Sequence, residues 1–331
     1  MSATETVRTM KAVTRDRYGD PDVLGLCELP LPVPTEQEVV VRVHAAAVNP
    51  ADVHTTRGVP YLGRPMSYGL LRPKHPIAGI DFAGTVEARS GTDGALQPGD
   101  EVFGFATGAF AEYAAVPARS LERKPANLTF EQAAVVPTAA GTALQALRDL
   151  GGLQPGQRVL VVGASGGVGT FAIQIARALG AETTGVTSTR NVDLVRSTGA
   201  EHVVDYTHED FTTTGKRYDL IVDLVGNRPL LACRRALEPD GTLVVVGSQH
   251  ARSLTGMGRF ARAAALSPFV RQRLRPLFAQ QRRDDLTVLK QLIEAGKVLP
   301  VIDRTYPLAE ARDALRHVDG AHARGKVVIV P

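Results

Sequence analysis

Residues 159–176 read VLVVGASGGVGTFAIQIA. A β-branched run meets a glycine cluster, and an amphipathic stretch follows. Glycine inside a regular element costs up to about 1 kcal/mol relative to alanine. Three of them, Gly166, Gly167 and Gly169, sit where a strand should become a helix, so something needs the bare backbone. Val168, Phe171, Ala172, Ile175, Ala176 and Leu179 recur at i, i+3 and i+4 and predict one apolar helix face lying on a sheet. A helix that starts inside the cluster aims its unpaired N–H groups and positive dipole end at the loop, where a phosphate can rest. The usual dinucleotide fingerprint is G-x-G-x-x-G. Here the run is Ala164-Ser165-Gly166-Gly167-Val168-Gly169, with alanine in the first place. A strand before, a helix after and a second strand about 20 residues on support a pyrophosphate over Ser165–Gly169. A tight strand–helix turn without a ligand is the plainer alternative.

The second strand bears on which dinucleotide fits. An NAD site places an acid near its end for the ribose 2′-OH. This segment reads Gly185-Val186-Thr187-Ser188-Thr189-Arg190, and no acid follows before Asp193. Hydroxyls and a guanidinium suit a 2′-phosphate, so the segment favours NADPH. Ser188 or Thr189 as an ordinary helix cap is compatible with that role.

Strand and helix patterns then alternate. Strands are expected at 158–162, 182–188, 202–206, 219–225 and 242–248, with helices at 167–179, 190–198 and 229–236. This is the signature of an α/β, doubly wound parallel sheet. Before about residue 125 the texture is β-rich, with EVVVRVHAAAV (38–48), DFAGTVEA (81–88), DEVFGF (100–105) and FAEYAAVP (110–117) broken by glycine and proline turns. LTFEQAAVVPTAAGTALQALRDL reads as helix interrupted at Pro137. The tail adds a helical stretch at 285–295, a strand at 298–303, a helix at 308–317 and a last strand in GKVVIVP, and is expected to return to the first domain. The division expected is 1–126 with 299–331 in one domain and 127–298 in the other.

Two distant cysteines, Cys27 and Cys233, suit a reducing compartment and no thiolate metal cage. No apolar run approaches a membrane span, and MSATETVRTM lacks a secretory apolar core, so a cytoplasmic location is expected. The net charge of +4 is local. Between Asp240 and Asp284 there is no acid, while Arg252, Arg259, Arg262, Arg271, Arg273, Arg275, Arg282 and Arg283 all fall there. A solvated or interface arginine face is the first reading, contact with an anionic membrane surface or anionic substrate the second. Nucleic acid is not expected, because Phe260, Phe269 and Phe278 alone give no motif support.

Over nearly its full length the chain resembles the zinc-independent medium-chain dehydrogenase/reductases of the quinone oxidoreductase group. The matching stretches are YGDPDVL (18–24), VNPADVHTTRG (48–58), PIAGIDFAGTVE (76–87), PGDEVFGF (98–105), GAFAEYAAVP (108–117), GASGGVGTFAIQIA (163–176), GAEHVVDY (199–206), DLIVDLVGN (219–227) and GKVVIVP (325–331). The resemblance implies a GroES-like catalytic domain built from both chain ends, a Rossmann NADP-binding domain between them, and homodimers. It implies that Ser188, Arg190 and Tyr206 surround the 2′-phosphate, and that Asp223, Val225 and Gly226 line the path from adenosine to nicotinamide. It further implies that Asn49 and Thr138 sit beside the nicotinamide, with Gly247, Ser248 and Lys326 nearby. Zinc-dependent relatives carry a cysteine where this chain has Asn49, and a histidine where Gly79-Ile80-Asp81 places Ile80. No metal is therefore expected, and His44, His54 and His75 are read as surface or pocket-lining residues.

Without a Lewis acid, a nicotinamide hydride suits an activated acceptor: a quinone, or a C=C conjugated to a carbonyl. Charge then develops on oxygen, and a donor must follow. Tyr61, in RGVPYLGRP, is the expected donor, with Tyr68 and solvent as alternatives and a packing role as the plainer one. Asn49 and Asp52 are read as orienting substrate or nicotinamide, or, for Asp52, as capping the helix that follows. The expectation is an NADPH-dependent quinone or enone reductase. An alcohol/ketone oxidoreductase or an enoyl-thioester reductase stands second, and a non-catalytic NADPH-binding sensor or membrane-associated protein is the alternative of another class.

Overall fold

The computed structural model describes residues 8–61, 64, 69–90, 96–247, 258–321 and 323–331. Ser248, Tyr68 and Arg252 lie outside the described residues. The chain divides into two compact units: Met1–Thr138 with Gln281–Lys290 and Ile302–Pro331, and Ala139–Gln280 with Gln291–Val301.

The first unit opens with β1 (Thr9–Thr14) and β2 (Gly25–Pro30), an antiparallel pair with no strong alternation to announce it in the sequence. Next come β3 (Glu38–Val48), α1 (Pro50–Arg57), β4 (Asp81–Arg89), β5 (Glu101–Phe105), β6 (Tyr113–Pro117) and β7 (Leu121–Arg123). The helical stretch interrupted at Pro137 becomes α2 (Phe130–Ala134), α3 (Pro137–Leu144) and a π-helical turn over Gln145–Leu150. Proline at the head of α3 has no N–H to lose there, so it starts a helix as well as ending one.

The second unit runs β8 (Arg158–Val162), α4 (Gly167–Ala178), β9 (Glu182–Thr187), α5 (Val192–Ser197), β10 (His202–Asp205), β11 (Tyr218–Asp223), α6 (Leu230–Arg235), β12 (Leu237–Val245), α7 (Gly258–Leu266) and β13 (Arg273–Pro276). α8 (Arg283–Glu294) follows, and β14 (Ile302–Pro307), α9 (Ala311–Asp319) and β15 (Lys326–Val330) return the chain to the first unit. The expected strand at 298–303 is displaced to β14: Pro300 has no N–H for a ladder, and pairing with β15 begins only at Ile302.

The first unit's main sheet has the order β14-β15-β3-β4-β5-β7, with β6 added on β3. Among the described residues only β14 and β15 of this sheet pair in parallel. Its core gathers Phe82, Phe110 and Leu121, all fully buried. In the second unit six parallel strands lie in the order β10-β9-β8-β11-β12-β13. Numbered within the unit this is 3-2-1-4-5-6, the order of a dinucleotide-binding sheet, and it reverses between β8 and its two neighbours. Ligands of such sheets sit outside the carboxyl ends of the strands at that reversal. α4 buries Phe171, Ile173 and Ile175 completely, each contributing about 1.5–3 kcal/mol. That burial fixes the head of α4 at the end of β8.

Candidate functional site

In the second unit the glycine cluster forms a turn between β8 and α4. Gly163, one place before the alanine in the fingerprint, carries the left-handed turn with φ of 89°. Ala164 is fully buried, and a Cβ on Gly185 of β9 would lie 2.9 Å from its methyl carbon. Gly166 caps α4, accepting from the Thr170 amide at 3.0 Å. A Cβ on Gly169 would lie 2.2 Å from the Gly163 carbonyl oxygen, so only glycine lets the helix start so close to the strand. By contrast, a Cβ on Gly166 would meet nothing nearer than 3.5 Å, so there the absent side chain leaves open space. Ser165, Gly166, Gly167 and Val168 are half-buried around that space, and the first amides of α4 have no helical partner. Bare amides at a helix head beside such a space fit a pyrophosphate.

The end of β9 is tied to this turn. Ser165 Oγ accepts from Thr187 Oγ1 at 2.9 Å and from Asn191 Nδ2 at 3.1 Å. Asn191 Nδ2 also reaches Ser188 Oγ at 3.4 Å. Arg190 is exposed, and no ion pair engages it among the described residues. Tyr206, 51% exposed, follows β10. The neighbouring acid, Asp205, accepts from the Thr207 amide at 3.0 Å and its hydroxyl at 2.7 Å, and Thr189 Oγ1 lies 2.8 Å from the same hydroxyl. Bonds from the Thr189 and Thr207 hydroxyls hold the Asp205 carboxyl below its usual range, so its charge is engaged locally. A free guanidinium beside hydroxyls fits a phosphate ester.

After β11 the chain makes a turn built on Asp223, which is 1% exposed. Its Oδ1 accepts the Val225 amide at 3.2 Å and the Gly226 amide at 2.8 Å. Its backbone carbonyl accepts the amides of Val246 and Gly247 at 2.9 and 3.1 Å. β11 is the neighbour of β8, so the turn lies on one side of the strand-order reversal and the glycine turn on the other.

The first unit holds a buried polar cluster. Asn49 follows β3 and caps α1. Its Nδ2 donates to Asp81 Oδ2 at 2.9 Å, and its Oδ1 and the Val48 carbonyl accept from the Lys326 ammonium. Asp81 also accepts from the Thr138 amide at 3.0 Å and from Thr138 Oγ1 at 2.6 Å, which draws the chain up to Thr138 into the first unit. Asp52, third residue of α1, reaches back with Oδ2 to the Asn49 amide at 2.8 Å, so the capping role read from the sequence is present. Asp52 Oδ1 has no partner among the described residues, and neither has Arg15 Nε, whose charge acts on Asp52. Asn49, Asp52, Asp81 and Lys326 are each at most 3% exposed. Burial pushes Asp52 up to about 7 against the pull of the Asn49 amide, and it pushes Asp81 up against the Lys326 charge. Burial likewise pushes Lys326 down, opposed by Asp81 and Asp52. Sequence reading passed over Asp81 and Arg15. Asp81 had a signal, its place next to Ile80 in the segment that carries ligands in zinc-dependent relatives; Arg15 had none.

Tyr61 is 46% exposed and makes no hydrogen bond to this cluster among the described residues. Its ring centroid lies 4.6 Å from the Arg64 guanidinium, which is also 4.3 Å from the Tyr18 ring. Arg64 Nε donates to the Gly58 carbonyl at 2.8 Å, and the left-handed Gly58 (φ 65°) makes the stack possible. A Cβ there would lie 2.6 Å from the Tyr18 ring and 2.8 Å from Arg64 Nε.

Among the described residues no group of three or more His, Cys, Asp or Glu side chains could hold a metal ion. His44 instead lies on the Phe130 ring at 4.3 Å and 3.0 Å from Thr85 Oγ1. In the arginine window Arg271 pairs with Asp240 on the surface, whereas Arg259 is drawn onto buried Asp223. No helix among the described residues is long and apolar enough to cross a membrane.

Residues 35–126 match the family model of the alcohol dehydrogenase GroES-like domain, and 198–329 that of the zinc-binding dehydrogenases. The chain is 34% identical to the "NAD(P)H oxidoreductase RTN4IP1, mitochondrial" of Mus musculus, over 99% of this chain and 90% of the relative. It is 33% identical to the "NADPH-dependent alkenal/one oxidoreductase, chloroplastic" of Arabidopsis thaliana, over 98% and 80%. Among solved structures, the quinone oxidoreductase from Coxiella burnetii superposes with a TM-score of 0.85 at 31% identity, covering 98% of this chain and all of that one.

Proposed function

Given that this chain belongs to the medium-chain dehydrogenase/reductase family, in its quinone oxidoreductase group, we propose that it is an NADPH-dependent reductase of quinones or α,β-unsaturated carbonyls. The observation that carries the reading is the glycine turn at the strand-order reversal, with an unengaged Arg190 at the end of the next strand. Ser165, Gly166, Gly167, Val168 and Gly169 would hold the pyrophosphate through backbone amides. Ser188, Arg190 and Tyr206 would hold the 2′-phosphate, and Asp223, Val225 and Gly226 would line the path from adenosine to nicotinamide, with Gly247 nearby. Asn49 and Thr138 would sit beside the nicotinamide, where a side-chain amide and a hydroxyl suit its carboxamide. Lys326 fixes Asn49.

When bound, NADPH supplies the hydride. The chain's own part is to bind, orient and protonate. Tyr61 is the proposed donor to the oxygen on which charge develops, its ring held by Arg64. No step in this reading uses a metal, and the donor set around Asn49 carries an ammonium among its carboxylates, which suits no divalent cation.

The experiment is NADPH oxidation against a panel of small quinones and enones. Acceptor-dependent loss of NADPH absorbance is expected. Binding of NADPH with no turnover on any acceptor would make the protein a cofactor-binding sensor instead. The reading includes a homodimer, supported by the outer edge of β13, which pairs with no strand among the described residues, and light scattering tests it. A cytoplasmic location is supported by the free thiols of Cys27 and Cys233, and fractionation tests it. A peripheral contact of the arginine window with anionic membranes is supported by Phe269, 85% exposed among arginines. Flotation with anionic liposomes tests it, and no salt-sensitive binding would leave that face to other proteins.

A further inference from the structure

Arg259 behaves unlike its neighbours in the arginine window. Its side chain is 12% exposed, whereas Arg262, Arg271, Arg273 and Arg275 are exposed. Nη2 donates to Asp223 Oδ2, and Nη1 donates to the Arg228 carbonyl at 2.6 Å. The other oxygen of Asp223 holds the amides of Val225 and Gly226. One guanidinium therefore fastens both ends of the 223–228 turn. The fully buried Cys233 lies against the same pair, and burial pushes its thiol up to about 11, so it stays neutral and adds no charge.

The turn so fastened is a wall of the strand-order reversal. A Cβ on Gly163 would lie 2.7 Å from Val225 Cγ2, so Val225 rests on the first residue of the glycine turn. A Cβ on Gly247 would lie 1.9 Å from the Leu224 carbonyl oxygen, so the end of β12 closes on the turn as well. Without its guanidinium, Asp223 would be a buried carboxylate with one oxygen uncompensated. Such a group protonates or swings towards water, and either response loosens the two amides it holds. A lysine would return the charge but not the fork that reaches a carboxylate and a carbonyl together.

We propose that Arg259 is a positioning residue for the cofactor: from the first turn of α7 it clamps Asp223 and the Arg228 carbonyl, holding the 224–226 backbone against the glycine turn in the shape that receives the dinucleotide. This rests on the reading of the reversal as the NADPH site, and it adds a residue that no part of the glycine fingerprint requires.

The test compares the parent chain with Arg259→Ala, Arg259→Lys and, as control, Arg262→Ala. NADPH affinity is read by nicotinamide fluorescence, and native-state hydrogen exchange of the Val225 and Gly226 amides is read on the cofactor-free protein. Both Arg259 variants should raise the NADPH Kd about tenfold, the worth of one charge-assisted hydrogen bond. Both should speed exchange at Val225 and Gly226, while Arg262→Ala matches the parent. If the alanine variant does not fold, the lysine variant carries the test. Unchanged Kd and unchanged exchange in Arg259→Lys, in a parent that binds NADPH, would overturn the positioning role and leave the cofactor reading standing. A lowered melting temperature with unchanged Kd would assign Arg259 to stability and overturn it equally. A parent that does not bind NADPH would defeat the cofactor reading itself.

Discussion

Asp52→Asn should stabilise this protein at alkaline pH and do little at acid pH. Asp52 is 2% exposed, and its charge faces Asp81 on β4, Lys326 on β15 and Arg15 beyond β1. Two carboxylates share one ammonium, and desolvation raises Asp52 from the ordinary 3.8 to about 7 even with Arg15 and Lys326 pulling it down. A carboxyl whose pKa is higher in the folded chain disfavours folding once it must ionise. The cost is absent below the unfolded pKa, grows as pH rises towards 7, and is complete above that. A rise from 3.8 to about 7 corresponds to about 4 kcal/mol when complete. Asparagine mimics the protonated acid and can still accept from the Asn49 amide, as Asp52 Oδ2 does. Urea unfolding of parent and variant across the range from about pH 4 to about pH 8.5 is the assay. The variant should gain up to about 4 kcal/mol over the parent at the alkaline end, and the two curves should converge near pH 4. A difference that does not change with pH, or a parent more stable at pH 8, would refute the argument. A cluster kept at such a cost is what a functional site looks like.

Arg190→Ala should weaken NADPH about ten- to a hundredfold while leaving NADH nearly unchanged, measured by fluorescence titration; equal losses would remove Arg190 from the 2′-phosphate. Tyr61→Phe should lower turnover on an enone by about a hundredfold with NADPH affinity unchanged, and an undiminished rate would hand protonation to solvent. Exhaustive dialysis against a chelator should leave NADPH-dependent reduction intact, with elemental analysis finding no stoichiometric zinc; one zinc per chain with activity lost on its removal would overturn the metal-free reading.

Sequence by itself determined what depends on neighbours along the chain. Val168, Phe171, Ala172 and Ile175 recur at the helical period, and their stripe alone announces α4 and the glycine turn at its head. The alternation of β-branched runs with helical periods announces the parallel sheet, since each element writes its own period locally. Arg190 is legible for the same reason, two residues beyond Ser188 on the strand's end. Tertiary structure alone decided the rest. Asp52, Asp81 and Lys326 are separated by long stretches of chain, and only the pairing of β3 with β4 and β15 brings them together. Arg259 looks like any member of a solvated basic stretch, because composition does not distinguish an arginine in water from one folded onto a carboxylate 36 residues away. Periodicity is a property of the backbone and survives in the sequence. Desolvation and charge pairing are properties of which surfaces meet, and those exist only once the chain has closed on itself.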